Sequence, residues 1–167
     1  MMLTFEQFQT NVQEWSTARG IYEHSTALAQ ALKAVSEVGE LADATIKGDI
    51  DELRDAIGDV AVCLVNVAYM TKGQLDYNYI FYDAVHKRTA QEGAARVAGS
   101  VGELSFELSG SNNNAAIAAF INAGFYSLYV TAKANNLNFL ECCETAWNEI
   151  KDRKGHMVAG GAFVKDE

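Results

Sequence analysis

Glu37 and Glu40 stand three residues apart, and Glu52, Asp55 and Asp59 follow at intervals of three and four. On a helix those spacings put side chains on one face. Gln30, Lys33, Glu37 and Glu40 then fall within roughly 80° of arc, and Glu52, Asp55, Asp59 and Asn66 within roughly 60°. Carboxylates grouped in this way repel one another unless hard cations such as Mg²⁺ or Mn²⁺ sit between them. The competing account is a solvated acidic face. Against it stands the stretch after Asp59, VAVCLVNVAYM, which is apolar nearly all round and therefore reads as buried. Asp59 opens this run and Asn66 interrupts it. A buried carboxylate or amide is costly unless it is paired, hydrogen-bonded or bound to metal.

These side chains require two helices, over 26–47 and 50–71, joined at Gly48-Asp49. So short a joint makes the pair antiparallel, with both polar stripes turned to one cleft. Leu28, Leu32, Val35, Ala42 and Ile46 make an apolar stripe opposite the acids of the first helix, and they are the residues expected to face the core.

The string EVGEL, with Lys33 four residues before Glu37, is followed by a helix carrying Gly58-Asp59, Asn66 and Ala68. In this order the motifs resemble the all-α nucleoside-triphosphate pyrophosphatases of the MazG-like type. The family pattern is E-x-x-E on one helix and E-x-x-D on the next. Glu37 and Glu40 match the first pair, and Asp59 matches the final aspartate. The second-helix glutamate would fall at Ala56, where this chain departs; Asp55 stands one turn before Asp59. A second register reads Glu52-Leu-Arg-Asp55 as the E-x-x-D.

The resemblance implies a single all-α domain over 1–167, built as an antiparallel helical bundle. It implies Mg²⁺-dependent (or Mn²⁺-dependent) hydrolysis of a nucleoside triphosphate to monophosphate and pyrophosphate. Glu37, Glu40 and Asp59 would be the catalytic metal ligands, with Asp55 auxiliary to them. Lys33 would hold a phosphate or simply pair with Glu37. Asn66 would hydrogen-bond the nucleotide, and Trp15, otherwise a core residue, would border the base. The loss at Ala56 keeps a second expectation open: a catalytically weakened helical module that binds nucleotides or a protein. Family members assemble into dimers or tetramers, so a homodimer or a pseudo-dimeric monomer is expected.

Around this hairpin, Thr4 can cap a helix over 4–18, Gly20 ends it, and Ser25 can cap the helix of 26–47. Residues 77–91 read as a tyrosine-rich helix with His86, Lys87 and Arg88 at its wet end. Val38-Gly-Glu-Leu41 recurs as Val101-Gly-Glu-Leu104, which marks 98–135 as a degenerate copy of the hairpin. In that alignment Glu37 falls on Ser100, Glu40 on Glu103, Asp55 on Ala118 and Asp59 on Asn122. Residues 137–154 form a last helix, and a tail runs on to 167. Lys151, Arg153 and Lys154 suit the dipole at its end. The stretch also resembles the C-terminus of short phage-encoded MazG-like proteins, so that Lys151 and Lys154 would reach a triphosphate. On this reading the likeness covers 1–75 and 137–167, with the middle inserted.

The net charge of −9 disfavours nucleic acid and anionic membrane as partners. No run of 18 or more apolar residues lacks a charge, so no membrane span is expected. Cys63, Cys142 and Cys143 lack metal or disulfide spacing, which fits reduced thiols in a cytoplasmic protein. With no proline in the chain, nothing forces a helix to break.

Overall fold

A computed structural model describes residues 2–83 and 87–167. The Thr4 hydroxyl accepts from the Gln7 N–H while the Gln7 side chain accepts from the Thr4 N–H, and this capping box starts α1 (Phe5–Ala18). Arg19 and Gly20, the latter at φ 73°, turn the chain into one helical turn, α2 (Ile21–His24). Thr26, not Ser25, caps α3 (Ala27–Lys47). Gly48 in the left-handed conformation ends α3, and Asp49 caps α4 (Ile50–Thr71) at once. The hairpin therefore lies where its spacing and turn residues put it.

The tyrosine-rich stretch does not make one helix. It contributes a single turn, α5 (Tyr77–Ile80), and His86 lies outside the described residues. A new helix, α6 (Ala90–Ser109), begins behind a second capping box between Thr89 and Glu92. That box offers the backbone N–H groups a start at 90, so Lys87 and Arg88 precede a helix rather than end one. Next come α7 (Asn114–Ala134), capped by Asn113, and α8 (Phe139–Ile150), capped by Asn138. The tail is ordered as an antiparallel hairpin, β1 (Gly155–Met157) with β2 (Phe163–Lys165), in which His156 faces Val164.

The protein is an all-α helical bundle with this small hairpin attached. α3 packs on α4, α6 on α7, α3 on α6 and α4 on α7, so two helical hairpins lie against each other. α4 also packs on α1 and α8 and is buried from Ala56 to Ala68 except at Asp59. The two hairpins share a burial pattern. Ala31, Ala34, Val38 and Leu41 of α3 are buried, as are Ala94, Val97, Val101 and Leu104 of α6. In the second helices the pattern moves on by one residue. Leu53, Ile57, Ala61 and Leu64 correspond to Ile117, Ile121, Phe125 and Leu128, as their caps Asp49 and Asn113 do. Asn122 therefore aligns with Gly58 rather than Asp59. Its side chain accepts from the Asp76 N–H and donates to the Gln74 carbonyl, which pins the connector before α5. By length and hydropathy α7 is apolar enough to cross a membrane, but Ile117, Ile121, Phe125 and Leu128 are buried in the bundle.

One expectation is reversed. The stripe of Leu28, Leu32, Val35, Ala42 and Ile46 is not the core face: Leu32, Val35 and Ile46 are exposed, Ile46 by 74%, and Leu28 and Ala42 are only half-buried, Leu28 against the core. The core face of α3 is lined by Ala31, Ala34, Val38, Leu41 and Ala44. Small side chains let α4 and α6 approach closely there, and close packing outweighs the larger hydropathy of the other stripe. The polar side chains Gln30 and Glu37 go inward with them.

Candidate active site

The polar stripe of α3 meets α4, α1 and the chain end around a cavity of about 390 Å³. Trp15, Gln30, Lys33, Glu37, Asp59 and Asn66 line it, with Cys63, Arg153, Gly161 and Phe163. The structure thus brings together five of the sequence candidates around this cavity: Lys33, Glu37, Asp59, Asn66 and Trp15. Glu40 is exposed and Asp55 is half-buried; neither lines the cavity.

Gly58 determines how close α8 comes. A Cβ at this position would lie 2.4 Å from the Cys142 carbonyl oxygen and 2.6 Å from the Ala146 Cβ. Contact at that range needs a glycine. It brings the end of α8, with Glu149 and Arg153, against the acids on either side of Gly58. Asp59 shows the consequence. Burial pushes its carboxyl up to about 7, and Asp55, Glu37 and Glu149 add to the rise while Arg153 opposes it. Asp55 is raised as well, by burial first and then by Glu149, Glu37 and Glu40, and its buried Oδ1 has no hydrogen-bond partner. The carboxylates of α3, α4 and α8 therefore feel one another.

Glu37 is 6% exposed and pairs with Lys33 one turn earlier. Burial works against the Lys33 charge, but Glu37, with Cys63 and Asp59, holds the ammonium above its ordinary range. Burial also pushes the Cys63 thiol far up, so it stays protonated and is no nucleophile. Among the described residues no three His, Cys, Asp or Glu side chains are grouped closely enough to form a ready-made metal site. The donor chemistry still fits a hard cation. Every candidate is a carboxylate oxygen, one of them is buried without a partner, and their mutual repulsion is what a cation relieves.

Asn66 is 2% exposed and makes three side-chain hydrogen bonds. Ser16 and Tyr22 each donate to its Oδ1 at 2.8 Å, and its Nδ2 donates to Gln30 Oε1 at 3.1 Å. Trp15 presents a buried, unpartnered Nε1, with Phe163 edge-on to its ring at 5.4 Å and the Arg19 guanidinium 4.8 Å from it. Arg19 in turn donates to the carbonyls of Arg153 and Lys151. Lys151 and Lys154 are exposed and do not line the cavity; the Lys151 ammonium donates to Asn148.

Residues 25–92 match the MazG nucleotide pyrophosphohydrolase domain. The MazG match spans α3, α4, α5 and the start of α6 and so contains Lys33, Glu37, Glu40, Asp55, Asp59 and Asn66. It does not reach α1, α8 or the tail, which supply Trp15, Arg153 and Phe163. The chain is also similar to an uncharacterized 18.2 kDa protein in the rep-hol intergenic region of Haemophilus phage HP1 (strain HP1c1). Those two are 34% identical over 67 residues, 40% of this chain and 41% of the phage protein. No solved structure matches the chain.

Reading along the sequence missed Glu149, Arg153 and the tail. Arg153 sits in a basic string whose dipole role looked sufficient, and nothing local says that the tail turns back. Gln30 was visible on the polar stripe, but its partners come from other elements.

Proposed function

We propose that the chain hydrolyses a nucleoside triphosphate to the monophosphate and pyrophosphate. The observation that carries this is the convergence of Lys33, Glu37, Asp59 and Asn66 on one cavity, within the segment that matches a nucleotide pyrophosphohydrolase domain. Glu37, Glu40 and Asp59 would hold Mg²⁺ or Mn²⁺, with Asp55 beside them. When bound, the cation offsets the repulsion between acids and polyphosphate and polarises the phosphoryl oxygens. Lys33 exchanges its Glu37 partner for a phosphate oxygen. Asp59, held protonated until pH approaches neutrality, gives up its proton to become an anionic oxygen donor. Arg153 faces the same cavity and balances the triphosphate, while Lys151 and Lys154 stand outside to attract it. Trp15 and Phe163 border the base. The α6–α7 hairpin, read as the degenerate copy, closes the bundle as a second subunit would, and the chain works as a pseudo-dimeric monomer in the cytoplasm.

Pyrophosphate release from a panel of NTPs and dNTPs with Mg²⁺, run on the native chain and on Glu40→Gln, tests this reading. Release that depends on metal and falls in the variant supports it; unchanged turnover removes Glu40 from the site. A nucleotide-binding module without catalysis has two observations in its favour: buried Ala56 stands where the family pattern has a glutamate, and no grouped ligand set is present among the described residues. That reading requires nucleotide to raise the Tm while no pyrophosphate appears.

A further inference from the structure

One chain of hydrogen bonds links the cavity floor to the C-terminal tail, and its direction can be deduced atom by atom. The Gly161 carbonyl oxygen lies 2.7 Å from Ser25 Oγ. A carbonyl only accepts, so the single Ser25 proton is spent there. The Gln30 atom 3.0 Å from Ser25 Oγ must then be a donor, which makes it Nε2 and turns Gln30 Oε1 toward Asn66. Asn66 must meet Oε1 with its Nδ2. Its Oδ1 is left to Ser16 and Tyr22, and these two hydroxyls fill both lone pairs. Burial keeps the Tyr22 phenol protonated, with its pKa raised far above the usual value. Asn66 lines the cavity, and the one valence it has left is an N–H, with no acceptor free.

We propose that the Gly161 carbonyl sets the hydrogen-bond polarity of the cavity floor, and that Ser25 and the C-terminal hairpin thereby decide which nucleobase edge the cavity takes. The identity of the ligand rests on the nucleotide reading above; the polarity does not. A base must place an acceptor, a carbonyl oxygen or an unprotonated ring nitrogen, against Asn66. An edge with an amino group there leaves two donors facing each other and is rejected. Ser25 and Gly161 are positioning residues and act through Gln30. The tail is built to hold this carbonyl in place. Gly161 is buried at φ 81°, and a Cβ there would lie 3.1 Å from Ser25 Oγ and 3.3 Å from the Ala29 Cβ. Without the Ser25 hydroxyl, both amides can rotate by half a turn and still satisfy Ser16 and Tyr22, because a hydroxyl can accept as well as donate.

The test uses the full-length chain and its Ser25→Ala and Ser25→Thr variants. In native protein the Asn66 side-chain amide protons show NOEs to the Gln30 side chain. In Ser25→Ala a second set appears, to Ser16 and the Tyr22 ring, and Ser25→Thr returns the native pattern. Turnover of dUTP, dCTP, dATP and dGTP gives the consequence. The ratio of kcat/KM between best and worst base narrows by about tenfold in Ser25→Ala, one hydrogen bond's worth of discrimination. A structural defect alone would lower all four together and leave the ratio unchanged, which overturns the proposal. So does a native NOE pattern in Ser25→Ala. If the native chain hydrolyses none of the four, the catalytic reading fails, and the amide NOEs still decide the polarity.

Discussion

Glu37 and Asp59 are the two acids that share the cavity wall, and they differ in what they need. Glu37 already has a cation in Lys33, so removing its charge leaves an ammonium without its partner as well as taking away a proposed metal ligand. Glu37→Gln is expected to lower kcat/KM by about 10²-fold or more, with a smaller loss of stability, read by pyrophosphate release and thermal melts. Asp59 sits at about 7 when folded and at about 3.9 when unfolded. Between those values the folded chain holds a proton that the unfolded chain has lost. Its contribution to stability is complete below about pH 4 and is lost as pH rises through 7. Metal-free protein should therefore lose stability, on the order of 4 kcal/mol, across that window. Asp59→Asn should flatten the profile, as urea melts at several pH values would show. A bound cation requires the ionised form, so the rise in Tm caused by Mg²⁺ should be larger near pH 8 than near pH 6. An equal rise at both would remove Asp59 from the ligand set.

At the scale of elements, the site depends on how close α8 can come to α4. Gly58→Ala places a methyl against the Cys142 carbonyl, and the expected cost is about 1–3 kcal/mol. The variant should also lower activity by moving Glu149 and Arg153 away from Asp55 and Asp59; chemical denaturation and turnover on one preparation check both. The facing of α3 gives a cleaner contrast. Leu32→Lys and Ile46→Lys sit on the exposed stripe and should change stability by no more than about 0.5 kcal/mol, whereas Leu41→Ala in the core should cost about 2–5 kcal/mol. The limits of sequence reading are visible in the same helix. Its C-terminal end was legible because Gly48 and Asp49 are local signals. Its facing was not, because Leu32, Val35 and Ile46 outweigh Ala31, Ala34 and Ala44 in hydropathy although the alanines allow closer packing. The pairing of Glu37 with Lys33 was legible from spacing alone. Arg153, Glu149 and the Ser25–Gly161 bond were not, since each depends on segments far apart in the chain. The start of α6 was present in Thr89 and Glu92 but was masked by the aromatic run before it.

At the scale of the molecule, α6–α7 repeats the burial pattern of α3–α4 without counterparts of Glu37, Asp55 and Asp59, so one nucleotide site per chain is expected. Calorimetric titration of a Glu37→Gln variant with a nucleotide and Mg²⁺ should give one site per polypeptide; two sites would mean that the second hairpin also binds. The inequality of the hairpins has a further bearing on how such a chain can change over time. Two identical subunits must carry every inward-facing carboxylate twice and bear its desolvation twice. Here Ser100 stands opposite Glu37 in the shared register, and the electrostatic burden falls on one side only. The α6–α7 half can drift toward tighter apolar packing without surrendering a buried carboxylate. Substitutions tolerated by descendants of this chain should therefore be lopsided, permissive in the second half and restrictive in the first.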